Sequence, residues 1–128
     1  MVILDTNVII DHLRRSSGES LLLKLSKRFP TASLCLSLIS IQELYEGKSA
    51  QQTEKEQQLL AVISPLTVLP YTFEIAKLAG EIARGLKQPI ELADAAIAAT
   101  AIINDHQLVT LNKKHFVNIK QLELYEFE

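Results

Sequence analysis

The sequence has a single cysteine and few aromatic residues, and each shortage argues against particular kinds of binding site or cross-link. Its 128 residues include a single cysteine, Cys35, together with four phenylalanines, three tyrosines and no tryptophan. One thiol cannot form an internal disulfide or a cysteine-based zinc site, and it fits a reducing compartment, so we expect a cytoplasmic protein. The sparse aromatics show no arrangement typical of a platform that stacks on nucleic-acid bases.

Long apolar runs and a strong charge of one sign are also missing. No stretch approaches the roughly 18 uncharged apolar residues of a membrane helix. The first apolar run ends at Asp5 and follows no basic segment, so we expect neither a membrane anchor nor a signal peptide. The net charge of −2 gives no overall basic bias. Binding to a polyanion would therefore depend on local basic patches or on metal ions.

The rest of the composition is that of a globular protein. Hydrophobic residues make up 48% of the chain and charged residues 22%. The length predicts one domain spanning residues 1–128. Short apolar runs alternate with helical patterns, which predicts an α/β fold with a mainly parallel sheet. Strands are expected at 2–4, 34–38, 66–69, 108–111 and 122–127, and helices at 8–14, 19–29, 40–45, 53–63, 73–86 and 93–103.

Two acidic residues follow predicted strands, at the sheet edge where α/β proteins bind ligands. Asp5 comes directly after the first strand, and Glu43 lies shortly after the second. Each also has a purely structural explanation. Asp5 can cap the helix that begins near Thr6, and Ser40-x-x-Glu43 is a capping box. The two explanations stay open at this point for both positions.

Asp94 is the most informative acid, because it lies in an apolar helix. The segment 93–103 is apolar nearly all round, and Asp94 shares a face with Ile97, Ala98 and Ala101. A buried carboxylate without a partner is costly and tends to protonate. Three carboxylates at one sheet edge would repel each other unless a divalent cation lay between them, and oxygen ligands suit Mg²⁺ or Mn²⁺. The pattern indicates metal-assisted phosphodiester hydrolysis.

Four motifs resemble those of PIN domains, in the order LDTNVIID, SIQELYEG, ADAAIAATAI and LVTLNKKHF. They run from Val2 to about Phe116, and the pattern is most similar to the VapC-type toxins of prokaryotic toxin–antitoxin modules. The resemblance implies a three-layer α/β/α sandwich and a Mg²⁺- or Mn²⁺-dependent endoribonuclease. It also implies a homodimer that a small antitoxin protein holds inactive.

The resemblance assigns roles to particular residues. The family's first, second and third acids, the metal ligands and catalytic groups, fall on Asp5, Glu43 and Asp94. The supporting polar residues that match the family's motifs are Thr6, Asn7, Thr110 and Asn112. Thr110 and Asn112 would orient a carboxylate or the attacking water, which the metal activates.

Three neighbouring positions are open to more than one interpretation. Many relatives carry an acid where this chain has His115, which can weaken a second metal position, contact phosphate or lie on the surface. Lys113 and Lys114 follow Asn112 and are candidates for contacts to RNA phosphates. The alternative to an enzyme is a non-catalytic PIN-fold binding protein with a degenerate metal site. A response-regulator receiver is a poorer match, because the third strand is not followed by an aspartate.

Overall fold

A computed structural model describes residues 1–47 and 51–127. Within these ranges one sheet contains four parallel strands in the order β3-β2-β1-β4. At its centre, Ile3 pairs with Cys35 on one side and with Leu108 on the other. The strands are β1 (Val2–Leu4), β2 (Leu34–Ser37), β3 (Thr67–Leu69) and β4 (Gln107–Val109).

The six predicted helices are all present, with bounds that differ from the predictions by a few residues. They are α1 (Thr6–Arg14), α2 (Leu21–Arg28), α3 (Leu38–Glu46), α4 (Thr53–Ile63), α5 (Phe73–Gly85) and α6 (Leu92–Ile103). Short 3₁₀ turns cover Thr31–Ser33 and Lys113–His115. None of the helices in the described ranges has both the length and the apolar character needed to cross a membrane.

The sheet lies between two apolar layers, and the alternation of side chains along β1 shows why. Val2 and Leu4 pack into one core cluster with residues of α1, α2 and α4. Ile3, between them, packs into a second cluster with residues of α6. Successive strand residues point to opposite faces, so a strand covered on both sides must be apolar throughout. This arrangement confirms the predicted three-layer α/β/α fold.

Helix α6 is the most buried helix, as its nearly uniform apolar sequence predicts. Every residue from 95 to 101 is buried, and small alanines allow α5, α3 and the sheet to approach it closely. The hydroxyl of Thr100, the polar exception inside this stretch, donates to the carbonyl oxygen of Ala96 at 2.7 Å. The same hydroxyl lies 3.4 Å from Ser37 Oγ at the end of β2.

The predicted fifth strand at 122–127 is wrong. This segment forms a single parallel bridge, between Leu124 and Leu108. The Leu108 amide donates to the Glu123 carbonyl at 2.9 Å, and the Tyr125 amide donates to the Leu108 carbonyl at 2.8 Å. Both bonds are made by the backbone of Leu108, the middle residue of β4. Because β4 is only three residues long, the pairing extends no further.

Two spacings in the sequence are typical of capping boxes, Ser40-x-x-Glu43 and Thr53-x-x-Glu56, and neither forms one. Helix α3 begins at Leu38, and the Ser37 hydroxyl at its N-cap accepts from the Ile39 amide at 3.2 Å. Ser40 and Glu43 therefore lie inside the helix. Helix α4 begins at Thr53 itself, after the N-cap residue Gln52, so Thr53 is helical and does not cap. Both errors have one cause, since a Ser/Thr-x-x-Glu spacing occurs in helix interiors as well as at their starts.

Candidate active site at the carboxyl edge of the sheet

Asp5, Ser37 and Thr110 lie at one edge of the molecule because the parallel strands β1, β2 and β4 all end there. Asp5 follows β1 directly, and its amide donates to the carbonyl of Val109, the last residue of β4, at 2.8 Å. Helix α1 starts at the next residue. Asp5 occupies the N-cap position of that helix, but its side chain makes no capping hydrogen bond. Its carboxylate is therefore not used as a helix cap.

The Asp5 carboxylate is buried and accepts a hydrogen bond from a side-chain hydroxyl. The side chain of Thr110 donates to Asp5 Oδ2 at 2.7 Å, and the Asn112 amide donates to Thr110 Oγ1 at 3.0 Å. Only 5% of Asp5 is exposed. Burial raises the pKa of Asp5, the Thr110 hydrogen bond opposes that rise, and the charge of Asp94 adds to it. The predicted supporting residue Thr110 thus contacts the predicted first acid.

Glu43 reaches the same edge from α3 and is held by Thr6 of α1. Thr6 Oγ1 donates to Glu43 Oε1 at 2.6 Å and lies 2.8 Å from Ser40 Oγ. Burial is the main cause that raises the pKa of Glu43, and the Thr6 hydrogen bond opposes it. The charges of Asp5 and Glu91 raise it further. The interior position of Ser40 thus places its hydroxyl on Thr6, a contact that the predicted capping role missed.

Asp94 lies in the first turn of α6 and has a partner that the sequence did not indicate. Its Oδ2 is 3.3 Å from His115 Nδ1, with 18% of the aspartate side chain and 49% of the histidine side chain exposed. Burial raises the pKa of Asp94, the neighbouring His115 lowers it, and the charges of Glu91 and Glu43 raise it. The residue that stands where many relatives have an acid thus contacts the third acid directly.

The carboxylates are neighbours, but they are not a closed metal cage. The charge of Asp94 raises the pKa of Asp5, and the charges of Asp5 and Glu91 both raise that of Glu43. In residues 1–47 and 51–127, however, no three His, Cys, Asp or Glu side chains come close enough together to hold a metal ion as they stand. The structure therefore brings the three predicted acids to one edge while leaving space between them.

The remaining predicted residues lie around this edge. Asn7 Oδ1 accepts from the Leu111 amide at 3.4 Å, which links α1 to the segment after β4. Asn112 is exposed and its side chain makes no cap to the 3₁₀ turn that follows. Lys113 turns towards the C-terminal segment, where its Nζ lies 2.9 Å from Glu126 Oε2 and 4.8 Å from the centre of the Phe127 ring.

Lys114 lies elsewhere, in the wall of a cavity of about 760 Å³ that also includes Asp94 and His115. The opposite wall is the connection between α5 and α6, residues 86–91. No motif in the sequence marks that connection as part of a site. The only feature of the sequence that could have indicated this connection is that its last residue, Glu91, lies three positions before Asp94.

Comparisons with known proteins show which family and which proteins this chain is similar to. The model of the PIN domain family matches residues 2–122. Ribonuclease VapC10 of Mycobacterium tuberculosis is 34% identical over 127 residues, covering 96% of this chain and 91% of that protein.

Two solved structures are similar over nearly their whole length. A toxin-antitoxin complex from Klebsiella pneumoniae contains a chain 28% identical to this one, with a TM-score of 0.75 and coverage of 99% of this chain and 100% of that one. DNA-bound VapBC from Salmonella typhimurium is 27% identical, with a TM-score of 0.80 and coverage of 98% of each chain.

Proposed function

The chain belongs to the PIN domain family, and from that premise we infer that it is an endoribonuclease that acts as the toxin of a toxin–antitoxin pair. Its similarity to a named ribonuclease along almost the entire chain supports RNA as the substrate. Its similarity to a chain of a toxin-antitoxin complex supports the biological role. We further propose a cognate antitoxin protein and a second copy of this chain as its partners, with the cytoplasm as the place of action.

One observation carries the catalytic part of this proposal. Asp5 is a buried carboxylate that caps nothing and whose pKa is raised by burial and by a second acid, Asp94. Such an arrangement destabilises the folded chain unless a cation offsets the negative charge. Perturbed acids gathered at the carboxyl edge of a parallel sheet are typical of a functional site.

The donor set fits a hard divalent cation. Carboxylate oxygens suit Mg²⁺ and Mn²⁺, and Mg²⁺ is usually bound through one or two carboxylates while it keeps several waters. A closed three-ligand cage is therefore not required, which agrees with the open spacing of the acids. We propose that Asp5 and Asp94 bind the cation directly and that Glu43 is the third carboxylate beside it. When bound, the cation would supply charge neutralisation at the phosphate and a more acidic water as nucleophile.

The other residues have positioning roles in this proposal. Thr110 holds Asp5 through Oδ2, and Thr6 holds Glu43 through Oε1. His115 holds Asp94 through Nδ1, and its exposed half can contact an RNA phosphate. Asn7 and Asn112 flank the same edge, with Asn112 available to substrate or water. No side chain serves as a covalent nucleophile.

The test is cleavage of total cellular RNA by the purified chain with Mg²⁺ or Mn²⁺, beside Asp94→Asn. We expect discrete fragments that require the metal and fall at least 100-fold in the variant. A matched control is Asp105→Asn, because Asp105 is exposed and has a positive φ of 56° that asparagine also adopts readily. This control should cleave as the wild-type chain does.

Two results would contradict the proposal. If Asp94→Asn and Asp5→Asn both keep full activity, the assignment of the site is wrong. If the wild-type chain neither cleaves RNA nor binds Mg²⁺ or Mn²⁺ in calorimetry, the protein is a non-catalytic PIN-fold binding protein. The antitoxin and the homodimer are tested separately, by co-purification with the product of an adjacent gene and by measurement of molar mass in solution.

A further inference from the structure

We propose that the cavity between the α5–α6 connection and the segment after β4 binds one strand of RNA beside the bond that is cut. Lys87, Lys114 and Lys120 would contact its backbone phosphates. This inference rests on the proposed ribonuclease function and names a substrate-binding surface for it. Lys87 and Lys120 enter as new binding residues, which no motif of the sequence indicated.

The position of the cavity is the first reason. Asp94 and His115 form part of its wall, so the cavity opens directly onto the acidic edge of the sheet. A strand whose phosphate lies at the acids must continue to either side, and this cavity offers it space. Its volume of about 760 Å³ falls within the roughly 300–1,000 Å³ of pockets that enclose small ligands. A nucleotide next to the scissile phosphate has dimensions of this order.

The charge of the cavity is the second reason. The whole chain has a net charge of −2, so a polyanion can bind only where positive charge is concentrated. Lys87 comes from one wall, while Lys114 and Lys120 come from the other. These three lysines outnumber the two carboxylates of the lining, Glu91 and Asp94. Within residues 1–47 and 51–127 none of these three lysines forms an ion pair. Their charges are therefore available to phosphates.

The other lysines in the described part of the chain have different surroundings. Lys27, Lys77 and Lys113 each pair with a glutamate. Lys24 and Lys55 are exposed on α2 and α4, whose apolar residues pack against the opposite face of the sheet. The three cavity lysines are thus set apart by their common position next to the acids. Lys24 and Lys55 supply a control with the same change in charge.

The polar neutral groups of the cavity favour nucleic acid over a simple anion. Gln88 and Asn118 lie in the two walls together with the lysines. An amide side chain both donates and accepts hydrogen bonds, which matches the edges of unpaired bases. The lysines would provide affinity that is independent of sequence, and the two amides would provide the means of base selection.

The test measures binding of fluorescein-labelled oligouridylate to the full chain in EDTA, where no metal-dependent cleavage occurs, over a series of salt concentrations. We expect the double variant Lys87→Ala/Lys120→Ala to bind at least tenfold more weakly at low salt. The slope of log K against log salt should fall by about 1.4, since each phosphate neutralised on a single strand contributes about 0.7. Lys87→Arg/Lys120→Arg should restore both values, and Lys24→Ala/Lys55→Ala should change neither.

Several outcomes would overturn this inference. The inference is wrong if the wild-type chain does not bind the RNA. It is also wrong if Lys87→Ala/Lys120→Ala binds the RNA as tightly as Lys24→Ala/Lys55→Ala does. An equal loss of binding to polyglutamate would assign the surface to an acidic peptide instead. Failure of the proposed ribonuclease activity is distinguishable, because binding in EDTA is independent of cleavage.

Discussion

At the scale of single residues, the acidic edge consists of Asp5, Glu43 and Asp94, three carboxylates whose burial costs free energy. Asp5, Glu43 and Asp94 each have a raised pKa, and burial is the largest cause in all three. Each carboxylate also contacts a polar side chain: a threonine for Asp5 and Glu43, a histidine for Asp94. These partners orient the acids.

Replacement of Asp5 by asparagine should stabilise the metal-free chain and abolish cleavage. Asparagine keeps an oxygen that accepts from Thr110 but carries no charge to bury. We expect the free energy of unfolding at pH 7 to rise by about 0.5–2 kcal/mol, the usual size of a single stabilising change. Urea unfolding and an RNA cleavage assay measure the two effects. A less stable variant would show that burial of the charge is not costly here.

The same substitution has a defined pH dependence. The native chain holds the Asp5 proton to higher pH than the unfolded chain, whose aspartate titrates near 3.8. Stability of the wild-type chain therefore falls as pH rises from that value through the raised native pKa. The advantage of Asp5→Asn should be absent below about pH 3.8 and full above the native pKa. An advantage that is constant with pH would contradict this account.

Thr110 is the clearest test of a positioning residue. Thr110→Val removes the hydroxyl that donates to Asp5 and leaves a buried acceptor without that partner, at a cost of about 1–3 kcal/mol. Cleavage should fall, and the pH at which the activity reaches half its maximum should rise with the pKa of Asp5. Thr110→Ser keeps the hydroxyl and should restore the pH profile. An unchanged profile in Thr110→Val would assign Thr110 a structural role only.

At the scale of elements, α6 joins the core to the site. Its buried middle packs against α5 and the sheet, and its first turn presents Asp94 to the acidic edge. Ile97 is fully buried one turn after Asp94, while Ile103 at the end of the helix is 37% exposed. The packing of α6 in the core therefore fixes the position of Asp94.

Truncation of the two isoleucines should have different effects. Ile97→Ala is expected to destabilise the chain by about 2–5 kcal/mol, the range for large-to-small changes in packed cores. Ile103→Ala should cost less, because much of its side chain already contacts water. Urea denaturation of both variants measures the difference. Equal losses would mean that the core around α6 is not closely packed.

At the scale of the whole molecule, the fold is stabilised away from the site and destabilised at it. Two apolar clusters lie on the two faces of the sheet, and the acids lie at its carboxyl edge. A cation that binds the folded chain alone raises its stability by mass action. The amount depends on the concentration of the free ion relative to its dissociation constant.

Mg²⁺ and Mn²⁺ should therefore raise the unfolding midpoint of the wild-type chain. At a free concentration 100 times the dissociation constant, the gain is about 2.7 kcal/mol. Asp94→Asn should show a much smaller shift, whereas Asp105→Asn should respond as the wild-type chain does. Thermal unfolding with and without metal gives the answer independently of cleavage. Equal shifts in all three proteins would place the metal elsewhere.

The sequence by itself was sufficient for the six helices, the first four strands and the parallel sheet, and its four motifs were sufficient for the family. These follow from local patterns: a continuous apolar run such as Val2–Leu4 predicts a strand covered on both faces, and polar groups at strand ends predict a site edge. The position of Asp5 at that edge follows from the same reasoning, whereas Asp94 was singled out as an acid in an apolar helix and as the match to the family's third acid. Such features depend on neighbours in sequence, so a single chain reveals them.

Only the tertiary structure decided which groups meet. The contacts of His115 with Asp94 and of Thr6 with Glu43 join residues 21 and 37 positions apart, and no local pattern specifies them. The absence of a fifth strand in the described part of the chain has the same origin, because three-residue β4 offers its neighbour one pairing position. Contacts between distant segments depend on how whole layers pack, and packing is not encoded in the spacing of any one segment.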